Sequence, residues 1–392
     1  MYYIGIDVAK DKHDCAIVDT YGNVVVKPFR IKNSLEGFNE LVQRINHLTS
    51  DRSKVVIGLE DTGHYSGNLV NYFHNLFEVK TINPLLTAKQ KKATTLRKTK
   101  TDKIDAVQIA KMVRNGTGFR PVISIPYNSE ELKSLSRYRT VLVRNRSKEK
   151  TSVRRLINIL FPEYEHFFYH THCLTSYTVL SAYPGKDSLS ICRTPALTKI
   201  LRSTSKGYYG EDMAMRLREA AKNSVGTVSD AKSYELAQTI KRIQSLDDEI
   251  AEIDKKIKEI LIKSNPPIAT IPGIGPALAA SIIGEIGDFS RFSNPDKILA
   301  MAGMSPTTYQ SGKYTSGHGR MEKRGSSNLR RTLFLATRVV CQNVPEFGVY
   351  LEKKQMEGKH YFVALSHATK KLVRLMYALE TEHRSYTPNP VH

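Results

Sequence analysis

YYIGIDVAKDKHDCAIVDTYGNVVVKPFRI, residues 2–31, decides the fold of the first part of the chain. Three short β-branched runs, YYIGID, DCAIV and NVVVKPFRI, are broken by DKH and DTYGN. That is the pattern of hairpin-linked strands, in which Val and Ile fit a pleated, half-buried surface and polar residues make the turns. Downstream, residues 35–47 (LEGFNELVQRINH) carry apolar groups at helical spacing, SKVVIGLED reads as a strand, residues 66–76 as a helix and FEVKTINP as a fifth strand. A helix starting near Thr101 turns Ile104, Val107, Ile109 and Met112 inward. Three strands in a meander, then helix, strand, helix, strand, helix, suit a mixed sheet of the ribonuclease H type, although the order also permits other α/β folds.

From about residue 128 to 264 the signal turns helical. Residues 129–160 form a basic amphipathic stretch with Arg137, Arg139, Arg144, Arg146, Lys148, Lys150, Arg154 and Arg155. Residues 233–263 set Leu236, Ile240, Ile243, Leu246, Ile250, Ile253, Ile257 and Ile260 at steps of three and four, the seam of a coiled coil or of a bundle helix. Charged intervening positions favour the coiled coil. Residues of about 165–232 give no clear pattern and read as an insertion. The chain thus divides into an α/β part (1–125), a helical and coiled-coil part (126–264) and a mainly helical part (265–385).

With 59 Lys and Arg against 38 Asp and Glu, the 392 residues carry a formal charge of +21. Such an excess attracts polyanions by Coulomb forces and by release of counterions from a phosphate backbone. No apolar run reaches the roughly 18–20 residues that span a bilayer, and MYYIGIDVAK has no basic lead, so neither membrane span nor signal peptide is expected. The four cysteines fit no zinc spacing, and His170 and His172 beside Cys173 lack a second cluster. A cytoplasmic protein with reduced thiols is expected.

Carboxylates stand where strands end. Asp7 closes the first run and Glu60 the GLED strand, while Asp102 and Asp105, three apart in KTDKIDA, share one face at a helix start. Singly, each is an ordinary cap or a partner of the helix dipole. Together they make a set that repels itself unless a cation neutralises it, and hard oxygen ligands select Mg²⁺ or Mn²⁺. Two such ions can clamp the attacking and leaving oxygens of a phosphodiester. Between Lys89 and Lys103, KQKKATTLRKTKTDK holds seven basic residues and one acid, and Lys98 and Lys100 lead into the acids as a track for a nucleic-acid backbone.

In the third part, IPGIG between apolar runs resembles a helix-hairpin-helix turn, where Gly273 and Gly275 let backbone N–H groups approach a phosphate. GRMEKRGSSNLRR concentrates Arg320, Lys323, Arg324 and Arg330 near glycines. QSGK holds Ser311, but a hydroxyl needs a base or cation to become a nucleophile, and chemistry alone does not separate Ser311 from Ser305, Ser316, Ser326 or Ser327.

GIDVAK (5–10), GLEDTGHYS (58–66), INP (82–84) and RKTKTDKIDA (97–106) resemble the N-terminal half of transposases of insertion sequence family 110 and of the related Piv DNA invertases. IPGIGPALAASIIGEIGDFSRF, LAMAGMSP, YQSGK and RMEKRGSSNLRR resemble their second half, in the same order. Only residues of about 160–232 lack a counterpart. The resemblance implies a RuvC-like domain whose DEDD acids are Asp7, Glu60, Asp102 and Asp105, then a coiled-coil linker and a transposase domain. It implies that Ser311 attacks a DNA phosphodiester and forms a phosphoserine link, with acids of a neighbouring subunit completing the site. It also implies a noncoding bridge RNA, encoded at the element's end, that pairs with donor and target DNA while the protein reads backbone and shape, as in guided nucleases. A homodimer or tetramer in a bacterial or archaeal cell, associated with the nucleoid, is the corresponding expectation. The alternatives are a junction-resolvase-like metal nuclease using activated water, and a non-catalytic nucleic-acid-binding protein.

Overall fold

The computed structural model describes residues 1–60, 65–82, 87, 102–116, 129–306 and 321–388, together with the backbone of 119–121, 310–311 and 314–315. The chain forms two compact units, Met1–Ser124 and Ile125–His392.

In the first unit, β1 (Tyr2–Asp7), β2 (Lys12–Val18) and β3 (Val24–Lys32) make the expected antiparallel meander. Next to it, β4 (Val55–Glu60) and β5 (Glu78–Ile82) add in parallel, and a short antiparallel strand β6 (Phe119–Pro121), absent from the sequence reading, closes the edge. The resulting mixed sheet has the order β3-β2-β1-β4-β5-β6.

Side-chain alternation divides the sheet into two faces. Ile4, Ile6, Cys15, Ile17, Ile31, Ile57 and Leu59 point to one, where they pack with Phe38 and Leu41 of α1 (Leu35–Asn46) and Leu69 and Phe73 of α2 (Ser66–His74). On the other face, Val56 packs with Ile109 and Val113 of α3 (Asp102–Arg114), beside Tyr3. Gly5 explains why α3 sits so close. A Cβ there would stand 2.2 Å from the Ala106 carbonyl oxygen and 2.3 Å from the Ala110 nitrogen, so only glycine admits the helix backbone to β1.

In the second unit, α4 (Ser129–Leu160) and α9 (Asp230–Ser264) run antiparallel. Cross-helix ion pairs fix their register: Arg139 Nε to Asp254 Oδ1 at 2.6 Å, Arg146 to Asp247, Glu149 to Arg242 at 3.1 Å, and Arg155 to Glu235 at 2.6 Å. As one partner's number rises the other's falls. Much of the basic charge of 129–160 is therefore answered within the chain. Each exposed pair adds little stability, but together they specify how the helices align.

The apolar seam of α9 serves two cores. Leu236, Ile240 and Ile243 join the insertion, whereas Ile250, Ile253, Ile257 and Leu261 join the C-terminal helices. The insertion is a small helical bundle of α5 (Leu174–Ala182), α6 (Lys186–Ile191), α7 (Thr194–Thr204) and α8 (Glu211–Asn223). Its core of Tyr164, Val179, Leu180, Leu197, Leu201 and Leu217 closes against Val153, Leu156 and Ile157 of α4. His172 is spent inside it: Nδ1 lies 2.9 Å from the Tyr177 hydroxyl, and burial with Lys150 and Arg154 nearby lowers its pKa to about 4.

The remaining chain builds α10 (Pro276–Ile286), α11 (Pro295–Met301), α12 (Ser327–Asn343), α13 (Pro345–Met356) and α14 (Tyr361–Thr381) around Ile282, Ile283, Leu333, Ala336, Leu372 and Met376. Among the described residues no helix is long and apolar enough to cross a membrane.

Candidate active site

Four acids stand towards one end of one sheet face. Tyr3, Gly5 and Asp7 alternate onto the side that α3 covers, and so do Val56, Gly58 and Glu60 of β4. Gly5 pairs with Gly58 and Ile6 with Leu59, so Asp7 and Glu60 end neighbouring parallel strands one row further, about 4.8 Å apart in backbone spacing. The direction of α3 follows from its contacts: Ala106 and Ala110 meet Gly5, while Ile109 and Val113 pack beside Tyr3, nearer the strand's start. Helix numbers rise as strand numbers fall, which puts the first turn of α3, with Asp102 and Asp105, at the Asp7 end. Glu60 and Asp105 are buried (8% and 5% exposed), Asp7 is half-buried and Asp102 is exposed.

The donor set is all carboxylate oxygen, the chemistry that hard divalent cations prefer. Among the described residues, no three acidic, histidine or cysteine side chains close into a group able to hold an ion. The strand ends and the helix start bring the acids to one end of the face without closing three of their side chains into one group.

The same face holds a fifth acid that sequence reading missed. Asp14 of β2 is the direct cross-strand partner of Asp7, and Arg30 of β3 is the partner of Asp14. Arg30 donates from Nε (3.1 Å) and Nη2 (3.0 Å) to Asp14 Oδ2. That bond, then the nearby charges of Asp14 and Asp102, raises the guanidinium's pKa above its ordinary value. The signal was present as Asp7 and Asp14 in adjoining strand runs, but only the hairpin register shows that they are opposed.

In the second unit, Ser311 lies in a two-residue strand, β7 (Gln310–Ser311), antiparallel to β8 (Tyr314–Thr315), with Ser311 paired to Tyr314. The Gly-rich segment around Ser311 thus contains a short β-ladder, formed where Gln, Ser, Tyr and Thr interrupt the glycines. Ser326, one of the alternatives to Ser311, is occupied as the N-cap of α12: its oxygen accepts from Leu329 N at 3.1 Å and its hydroxyl donates to Glu285 Oε2 at 2.8 Å.

Glu285, buried in α10, also accepts from Arg137 Nε (2.6 Å) and Nη2 (3.0 Å) of α4, and so ties α4, α10 and the start of α12 at one point. Burial raises its pKa, but the hydrogen bonds from Arg137 and Ser326 outweigh this and hold it below the ordinary 4.5. A depressed carboxyl stabilises the fold fully above the unfolded value and loses that contribution as pH falls through the folded one. Glu285→Gln should therefore cost about 1–3 kcal/mol at neutral pH and flatten the acid limb of stability below about pH 4.5, as read by chemical denaturation across pH. An unchanged acid limb would remove Glu285 from this role.

The expected nucleic-acid contacts fall in varied surroundings. Lys98, Lys100 and Arg320 lie outside the described residues. Lys323 and Arg324 are exposed, with Lys323 in a left-handed conformation. Arg330 works inward: Nη1 donates to the carbonyls of Ala302 (2.7 Å) and Lys323 (3.3 Å). Gly273, at φ +94°, abuts Val339 and Asn343 of α12, which accounts for its glycine by packing. Gly275, the N-cap of α10, faces open space.

A family model described as "Transposase" matches residues 4–162. A second, "Transposase IS116/IS110/IS902 family", matches residues 265–352. An "Insertion element IS116 uncharacterized 44.8 kDa protein" of Streptomyces clavuligerus is 23% identical, across 99% of this chain and 96% of its own length. The "Mini-circle putative transposase for IS117" of Streptomyces coelicolor is 24% identical across 98% of this chain and 97% of its own. A "Pilin gene-inverting protein" of Moraxella bovis is 25% identical over the same shares. The first match covers the sheet, the acids and α4; the second covers the segment with Ser311 and α12, and between them lies the helical insertion that sequence reading left without a counterpart. On this agreement along its whole length, the chain belongs to the IS116/IS110/IS902 family of transposases and is a DNA recombinase.

Proposed function

We propose that the protein cuts and rejoins donor and target DNA through a phosphoserine intermediate at Ser311, assisted by Asp7, Glu60, Asp102 and Asp105 and guided by an element-encoded bridge RNA. The observation that carries this reading is the shared end of one sheet face on which the four acids stand. Those acids would hold Mg²⁺ or Mn²⁺, which supplies positive charge for the oxygens of a phosphodiester under attack.

Within this scheme the Ser311 oxygen forms a bond to phosphorus as one phosphorus–oxygen bond to deoxyribose breaks. The serine proton passes to the departing hydroxyl. Attack on the phosphoserine by a hydroxyl of another strand reverses the exchange, releases serine and joins the new partner. No bond energy is lost to water, so the break can be resealed without an external energy source. Acids from a second subunit complete the site, which requires a dimer or tetramer.

The family resemblance and the charge of +21 support a complex of one RNA with DNA duplexes. Lys98, Lys100, Gly273, Gly275, Arg320, Lys323, Arg324 and Arg330 are read as backbone contacts or as supports of segments that make them. We read α4 with α9 as the coiled coil, Ile271–Gly275 as the hairpin turn of a helix-hairpin-helix, and the second unit as two parts joined at about residue 264.

The test is a denaturing gel of end-labelled donor DNA incubated with protein, Mg²⁺ and RNA transcribed from the noncoding end of the element. The expected result is a protein-linked band that disappears when the RNA is omitted. Free nicked ends with no protein-linked band, with or without RNA, would favour the junction-resolvase alternative.

A further inference from the structure

Asp14 and Arg30 have no place in the four-acid scheme, yet they stand on its face. Two carboxylates directly opposed on adjacent strands are destabilising unless something compensates them. Asp14 is only 5% exposed, and its Oδ1 has no hydrogen-bond partner among the described residues. Its Oδ2 takes both bonds from Arg30. A buried carboxylate in such a position is costly to maintain, and what it achieves is to fix a guanidinium.

The Arg30 side chain is half-exposed, at 49%. Its Nε and Nη2 are turned to Asp14, and among the described residues it has no second carboxylate within ion-pair distance. A guanidinium carries five donors in a planar fork, so a tether on one edge leaves the other edge aimed and unspent. The local field also runs from Asp102, at the first turn of α3. An oriented cation thus stands in a rim of acids that must otherwise repel the polyanion they act on.

We propose that Arg30 is a phosphate-binding residue of the acid face, gripping a backbone phosphodiester of the strand that lies across Asp7 and Asp102, and that buried Asp14 is the residue that positions it. The proposal rests on the recombinase reading above. It adds a contact that needs no metal: a strand can be seated by Arg30 before any ion neutralises the acids. Arg is suited to this and Lys is not, because two donors must face Asp14 while others face the phosphate.

Arg30→Ala would strand a buried charge and endanger the fold, so the test uses the neutral pair Asp14→Asn with Arg30→Gln, which can still hydrogen-bond to each other. Net charge is unchanged, and any effect on binding is local. Affinity for a short duplex of element-end sequence, and in parallel for single-stranded RNA, is measured in EDTA over a range of salt. The double variant should bind at least one of them about tenfold more weakly, with a log K against log salt slope shallower by about 1, the loss of one phosphate contact. A wild-type slope and affinity with both probes, in protein whose melting curve is unchanged, would overturn the proposal. Should the double variant fail to fold, Asp14→Asn alone decides. It keeps the cation but loosens its tether, so the slope should hold while kcat for strand cleavage falls several-fold without a matching rise in KM. Unaltered kcat in that variant would overturn the proposal as well. Because the double variant's binding is read without metal or cleavage, a wild-type protein that does not cleave would defeat the proposed strand-exchange chemistry and still leave Arg30 to be judged by that variant's slope.

Discussion

Replacing Ser311 by alanine is expected to abolish the covalent protein–DNA adduct completely while leaving DNA and RNA affinity within about twofold of wild type. Without Oγ there is no atom to form the bond to phosphorus, and water offers no resealable intermediate. The substitution removes a single oxygen from a two-residue strand, so the β7–β8 pairing through backbone groups is retained. Recombinant product should fall by at least about 10³-fold, roughly 4 kcal/mol of barrier at 1.36 kcal/mol per decade. Electrophoresis under denaturing conditions reads the adduct and a filter assay reads affinity. An adduct that survives in Ser311→Ala would transfer the nucleophile to another residue, and Ser326 is a poor substitute because it caps α12 and bonds Glu285.

The second large effect is expected from Asp7→Asn. Asp7 ends β1 beside Glu60, under the first turn of α3, and the change keeps its shape while removing its charge. Strand cleavage should drop by about 10³-fold or more, and raising Mg²⁺ or Mn²⁺ should recover only part of it, since a lost charged ligand weakens the ion and the field it supplies. Thermal stability should hold or rise, because one member of the Asp7–Asp14 like-charged pair is neutralised. Cleavage at the wild-type rate would take Asp7 out of the site.

Much of the first unit was legible because strands announce themselves locally. The β-branched runs at 2–7, 14–18 and 24–31 and the breaks between them prescribe a meander, and Asp7 and Glu60 stand where those runs stop. Register was not legible. The segment between β1 and β2 has no turn signature that fixes its length, so the opposition of Asp7 and Asp14 and the tether to Arg30 emerge only from pairing. β6 was missed for a related reason: three residues carry too little pattern to stand out.

In the second unit the long amphipathic helices were plain, but the partners of their charges were not. Arg139 and Arg146 meet Asp254 and Asp247 about a hundred positions away, and nothing local distinguishes them from solvated cations. The insertion resisted reading because its helices are short and their core is completed by α4 and α9. Glu285 hid inside the apolar run AASIIGEI, where its two partners lie on other helices. Ser311 is the converse case. Its chemistry is indistinguishable from that of its neighbours, and only the family motif around it singled it out.

Whether the acid face holds divalent metal for strand exchange is decided by counting bound Mn²⁺ with electron paramagnetic resonance. The Ser311→Ala protein, which cannot turn over, should when bound to DNA take up Mn²⁺ that the Ser311→Ala protein also carrying Asp7→Asn does not. Equal Mn²⁺ uptake by both, at the same affinity, would contradict the account.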